Sequence, residues 1–198
     1  MTMPLAIIAI AGVVLAVVAL VIAHLRGTGL SPLRDPVSAY GISEAAPLYR
    51  LQTIGTAVAA SALAAAVALS DLSSSLPAIL ALSVLAIARA LISWVPMDAA
   101  GSPRTATGRA HNLLAFGAFA AASVGGFMVG IAFENSPGLE AFGATTASLG
   151  WIMTIASALT IASAIIATLR PIFGLAERLI YGGMLTWLAV TAAAFLTL

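Results

Sequence analysis

Six long apolar runs, separated by short polar stretches, set the pattern of this chain. They cover approximately Pro4–Leu25, Leu48–Leu69, Pro77–Val95, Thr107–Phe133, Phe142–Leu169 and Ile172–Thr197. Each approaches or exceeds the roughly twenty helical residues that cross a hydrocarbon core about 30 Å thick. In lipid a backbone must satisfy its own hydrogen bonds, so runs of this kind predict helices. The nine prolines, from Pro4 to Pro171, all fall in loops or at helix ends, where a missing N–H costs little. The predicted fold is therefore all-α, a single six-helix transmembrane bundle over residues 1–198. MTMPL carries no positive residue and no A-x-A site follows, so the first run reads as a retained helix.

Composition sharpens this picture. Of 198 residues, 62% are hydrophobic and only 8% charged, with mean hydropathy +1.12. An ordinary soluble domain carries roughly a quarter charged residues, and so little charge cannot cover a water-facing surface. The expected location is the plasma membrane, as a multi-pass protein. A net charge of +1 excludes nucleic-acid binding through a basic face. The absence of cysteine excludes a disulfide framework, a thiol nucleophile and thiolate metal ligation.

Arginine sets the orientation. Arg26, Arg34 and Arg50 border the first loop, Arg89, Arg104 and Arg109 the third, and Arg170 and Arg178 the fifth. The second and fourth loops hold only Asp71, Glu134 and Glu140. The positive-inside rule then puts the odd loops in the cytoplasm and both termini outside. Cysteines placed at Ser74 or Ser136 would be reachable from outside, and one at Ser102 would not.

Lipid gives helices no hydrophobic reason to associate, so small residues must allow close approach. Gly117, Ala121 and Gly125, with Gly126 and Gly130, supply such faces on the fourth helix, and the alanines between Ala57 and Ala68 on the second. They suit a compact monomeric bundle or a dimer face. Tyr49, Trp94 and Tyr181 are expected in the headgroup belt, and Trp151 and Trp187 in packing positions.

The polar residues that the orientation rule does not require gather at the same cytoplasmic side. WVPMDAAGSPRTATGRAH, Trp94–His111, is the densest such stretch. Thr107 is placed to cap the fourth helix. His111 then falls one turn in, on the face of Ala115, Ala118 and Ala122, pointing into the bundle and within reach of Asp98. Arg89 lies about two turns inside the third helix, where it must snorkel or pair with a carboxylate, Glu177 or Asp98.

These residues resemble a bacterial and archaeal membrane family called domain of unknown function 998. The carriers are DPVSAYG, Asp35–Gly41, and PMDAAGSPRTATGRAH, Pro96–His111. Within the second, Asp98, Gly101, Thr105, Gly108 and His111 fit an aspartate–glycine–threonine–glycine–histidine pattern leading into a helix. The resemblance covers nearly the whole chain and implies six spans, but no activity. A looser likeness is to membrane hydrolases related to alkaline ceramidases, which use serine, aspartate and three histidines around zinc. Here Ser38, Asp98 and His111 are the catalytic candidates, and His24, Asp98 and His111 the metal candidates. The chain departs from that pattern in having only two histidines and no HxxxH pair.

Three function classes follow. The first is a cytoplasm-facing polar pocket for a lipid headgroup, a small molecule or a partner membrane protein. Arg34, Arg89, Arg104 and Arg109, with Asp98 and His111, would bind there, because guanidinium forks match phosphate oxygens. The second is a lipid hydrolase, with or without a metal. The third is a transporter, against which stand the peripheral prolines and the lack of mid-span acids. Membrane lipids are the expected partners in every case.

Overall fold

The computed structural model describes residues 2–72 and 75–198; the labelling position Ser74 lies outside them. Six α-helices follow in order: α1 (Thr2–Leu25), α2 (Ala46–Ala68), α3 (Leu76–Ile92), α4 (Ala106–Glu134), α5 (Glu140–Ile165) and α6 (Phe173–Leu196). Short 3₁₀ segments at Val37–Ile42 and Ala167–Ile172 lie in the α1–α2 and α5–α6 connections. There is no strand among the described residues. The protein is a helical membrane bundle. Five helical stretches are long and apolar enough to cross a membrane, and α3, at 17 residues, is a shorter apolar helix. It stops at Ile92 where Val95 was expected, because the chain turns through Ser93–Val95 ahead of Pro96.

Each helix packs on its chain neighbours, and α6 closes the ring on α1 while also touching α2 and α4. The loops that carry the arginines all lie at one end of this up-and-down arrangement. α2 and α6 are the most enclosed helices, and α5 the most exposed. Trp187 of α6 is fully buried, and its ring occupies the space a side chain at Gly125 would need. Close approach elsewhere depends on missing side chains. A Cβ on Gly12 would lie 2.6 Å from the Gly55 carbonyl oxygen, and one on Gly126 would lie 2.7 Å from Gly150 Cα. The glycine pairs thus serve contacts within the chain.

Gly117 departs from expectation, since a Cβ there would meet nothing within 4 Å. Gly117 lines no cavity between α4 and α5, and those two helices are themselves in contact only over part of their length. They touch at Gly126–Gly150 and Gly130–Gly143, then separate toward the arginine-bearing end and leave an open trough.

The aromatic expectations divide. Tyr49 and Tyr181 are buried in the bundle, not at its rim; the Tyr181 hydroxyl joins a polar cluster described below, whereas the Tyr49 hydroxyl has no hydrogen-bond partner. Trp94 is 60% exposed, with the Arg50 guanidinium 4.0 Å above its ring. Trp151, expected in packing, is 61% exposed and meets Phe127 edge to face at 5.2 Å between ring centroids.

Candidate functional site

The stretch from Trp94 to His111 folds into a clasp between α3 and α4. Thr105, not Thr107, caps α4, its Oγ1 accepting the Gly108 N–H at 3.0 Å. Asp98 in turn binds Thr105 twice, accepting its N–H at 3.0 Å and its hydroxyl at 2.6 Å. A side chain at Gly108 would collide with the Asp98 carboxylate, and Gly101 takes the left-handed φ of +78° that lets the turn close. The Thr105 hydrogen bonds, helped by Arg104 and Arg109, hold the Asp98 carboxyl below the usual carboxylate range.

Asp98 does not reach His111 as expected, because Thr105 lies closer along the turn and takes both carboxylate oxygens. His111 Nδ1 instead bonds the Val95 carbonyl at 2.7 Å. A carbonyl can only accept, so Nδ1 carries the proton, and in the neutral ring Nε2 is an acceptor. Nε2 is buried without a hydrogen-bond partner, and His111 as a whole is 3% exposed. That much of the inward-facing histidine was expected.

The α1–α2 connection is tied to the start of α6. Glu177 Oε2 accepts the Val37 N–H at 2.7 Å, and Arg178 Nη1 donates to the Asp35 carbonyl at 2.8 Å. Arg178 Nε donates to His24 Nε2 at 2.7 Å, while His24 Nδ1 donates to the Leu20 carbonyl. A ring nitrogen that accepts from a guanidinium has no lone pair left for a metal, so His24 is a packing ligand of Arg178. Among the described residues no three of His, Asp and Glu gather to hold a metal, and His24, Asp98 and His111 stay apart.

Arg89 neither snorkels nor binds a carboxylate. It is fully buried, donating to Gln52 Oε1 at 2.6 Å and to the Tyr181 hydroxyl at 3.0 Å. Gln52 passes the contact to Thr56 at 3.2 Å. The expectation of a Glu177 partner failed because Gln52, the chain's one glutamine, supplies the acceptor, leaving Glu177 to the Val37 amide. A strong polar amide in an alanine-rich span is the signal that could have found this.

Three cavities form one groove along α4. At the arginine end a polar cavity is lined by Asp98, Ser102, Arg104, Arg109 and Asn112. Asn112 and Met97 also line the next cavity, of about 230 Å³, which His111, Glu177 and Ser38 enter from three elements. Phe116, Phe119, Thr160 and Ile161 are shared with the third cavity, of about 360 Å³, which continues up the α4–α5 trough. The groove thus runs from guanidinium groups, through a histidine and a carboxylate, to an almost wholly apolar channel. Of the candidate catalytic and binding residues named from sequence, Ser38, Asp98, Arg104, Arg109 and His111 border it. Arg34 is exposed in the first loop, and Arg89 and His24 line none of the three cavities. Sequence reasoning missed Asn112 and the trough itself.

A bundle with a polar-to-apolar groove of this kind defines an integral membrane protein with a recess at its arginine end. The chain belongs to the family described as "Protein of unknown function (DUF998)", whose pattern it matches over residues 10–194. No curated protein and no solved structure matches it. The aspartate–threonine–glycine part of the family-like pattern is accounted for by the clasp, which fixes where His111, Arg104 and Arg109 stand.

Proposed function

We propose that this protein binds an anionic amphiphile drawn from the membrane, with its charged end at Arg104 and Arg109 on the cytoplasmic side and its apolar part in the α4–α5 trough. The single observation that carries the reading is the continuity of the three cavities, ordered from basic to apolar through shared lining residues. A lipid crossing the interface presents its own chemistry in that order. Guanidinium groups suit phosphate oxygens, and pockets that hold small ligands are mostly apolar with a few placed polar groups.

Binding is better supported than hydrolysis. Ser38 and His111 border one cavity, but His111 Nε2 has no hydrogen-bond partner, so the nucleophile–base contact of acyl transfer is not made. The α-helices run unbroken, without the discontinuous helices typical of coupled carriers.

Native mass spectrometry of the purified protein with matched anionic and zwitterionic lipids tests this. Anionic lipid should be retained preferentially, and Arg104→Gln with Arg109→Gln should abolish the preference. Equal retention of both lipid classes by the unaltered protein would refute the reading.

A further inference from the structure

Glu177 is the acidic group at the middle of the groove. It is 5% exposed and lines the cavity that joins the arginine end to the α4–α5 trough. Its Oε2 accepts the Val37 N–H. Oε1 accepts no hydrogen bond among the described residues, and its neighbours do not seal it off. One amide solvates a carboxylate poorly, so the charged form depends on solvent that reaches Oε1.

The charged groups around Glu177 are committed elsewhere. On its own helix, Arg178 donates to His24 Nε2 and to the Asp35 and Gly174 carbonyls. From α3, Arg89 donates to Gln52 and Tyr181. These two guanidinium groups, with the Tyr49 and Tyr181 hydroxyls, act on Glu177 only through space. Across the cavity α4 presents His111, whose Nδ1–H goes to the Val95 carbonyl and whose Nε2 is closed off. The α1–α2 connection presents Pro36 and Ser38 to the cavity, while its Asp35 carboxylate accepts the Ser31 N–H. From α5 come Thr160 and Ile161, which carry no charge.

An amphiphile that runs from Arg104 and Arg109 into the trough has to pass this carboxylate. It displaces solvent from Oε1 and sets its own negative charge in the adjoining cavity. Both effects favour a neutral carboxyl over a carboxylate. We propose that the groove takes up its anionic ligand together with one proton, held by Glu177, an inference that rests on the anionic-amphiphile reading of the same groove. The neutral carboxyl keeps Oε2 as the acceptor for Val37. Its O–H faces the ligand's oxygens as a donor, where the anion would repel them. The coupling is reciprocal: ligand promotes protonation, and acid promotes binding. Acidification on the cytoplasmic side would then fill the groove, and alkalinisation would empty it.

The test uses the full-length protein in neutral detergent with dioleoyl phosphatidylglycerol, whose phosphodiester keeps its single charge throughout. Affinity is measured from about pH 8 to about pH 5.5, a window below which carboxylates such as Asp98 begin to titrate. Binding should tighten as pH falls, by up to about tenfold per pH unit, the limit for one proton. Titration calorimetry in buffers of different ionisation enthalpy should show a matching uptake within the sloping range. Glu177→Gln, which keeps an acceptor for Val37, should bind at the alkaline end as tightly as the unaltered protein does in acid, without proton uptake. Calorimetry on the unaltered protein needs no variant, so the inference can fail even if Glu177→Gln folds poorly. Lipid binding that takes up no proton would overturn it and leave anionic-amphiphile binding intact. A pH dependence that survives in Glu177→Gln would also overturn it, passing the role to His111. No binding at any pH would overturn both readings.

Discussion

The Glu177 carboxylate accepts the Val37 backbone N–H at 2.7 Å, joining residues 140 positions apart in the chain. The contact seats the Val37–Ile42 segment against α6 and so places Ser38 and Pro36 at the wall of the groove. Glu177→Ala would leave the buried Val37 amide without an acceptor, which costs about 1–3 kcal/mol. Glu177→Gln keeps a carbonyl acceptor and should cost less than half as much. Unfolding in mixed micelles measures both, and equal losses for Ala and Gln would mean the carboxylate does not hold the loop.

Asp98 gives a pH signature. Its folded-state pKa is depressed by the Thr105 hydrogen bonds, against an unfolded value of about 3.9. A depressed carboxylate contributes stability that is present above the unfolded value and is lost as pH falls through the folded one. The stability difference between the unaltered protein and Asp98→Asn should therefore be constant from neutrality down to about pH 5 and shrink below about pH 4. A difference that stays constant across that acid range would remove Asp98 from the clasp.

Arg89 belongs to the core. Arg89→Met strands the Gln52 carbonyl and the Tyr181 hydroxyl, at about 1–3 kcal/mol for each buried group. Arg89→Lys should recover little, because one ammonium does not reproduce a fork that reaches two acceptors at once. Lipid binding per folded molecule should hold in both variants, since Arg89 lines no cavity of the groove. Loss of binding with stability intact would place Arg89 in the site after all.

The orientation is open to labelling. A cysteine in place of Ser136 should react with an impermeant thiol reagent applied outside, and one in place of Ser102 only after permeabilisation. The reverse pattern would put the groove's arginine end outside the cell.

Much of this architecture was legible in the sequence because lipid enforces it. Runs long enough to span, prolines at helix ends and one-sided arginines leave few alternatives for six helices. The inward His111 was legible too, from the small residues that share its face. What was not legible were partner choices decided by distances of a few ångströms. Asp98 was assigned to His111, but Thr105 stood nearer; Arg89 was assigned to Glu177, but Gln52 already held an acceptor in place. Which glycines meet a neighbour was hidden for a different reason. Gly117, Gly125 and Gly126 look alike in sequence, yet one faces open space, one a tryptophan ring and one a helix backbone.

The central claim, that an anionic lipid lies along α4 with its chain between α4 and α5, is tested most directly by where such a lipid sits. An anionic lysophospholipid with a photoreactive diazirine in its chain, incubated with the protein and irradiated, marks its neighbours for peptide mass spectrometry. The account predicts adducts concentrated at Phe116–Val124 and Thr154–Ile161, reduced by Ala120→Trp, which fills the trough from an exposed position. Adducts spread evenly over the lipid-facing sides of α1, α3 and α5, and unchanged by Ala120→Trp, would contradict it.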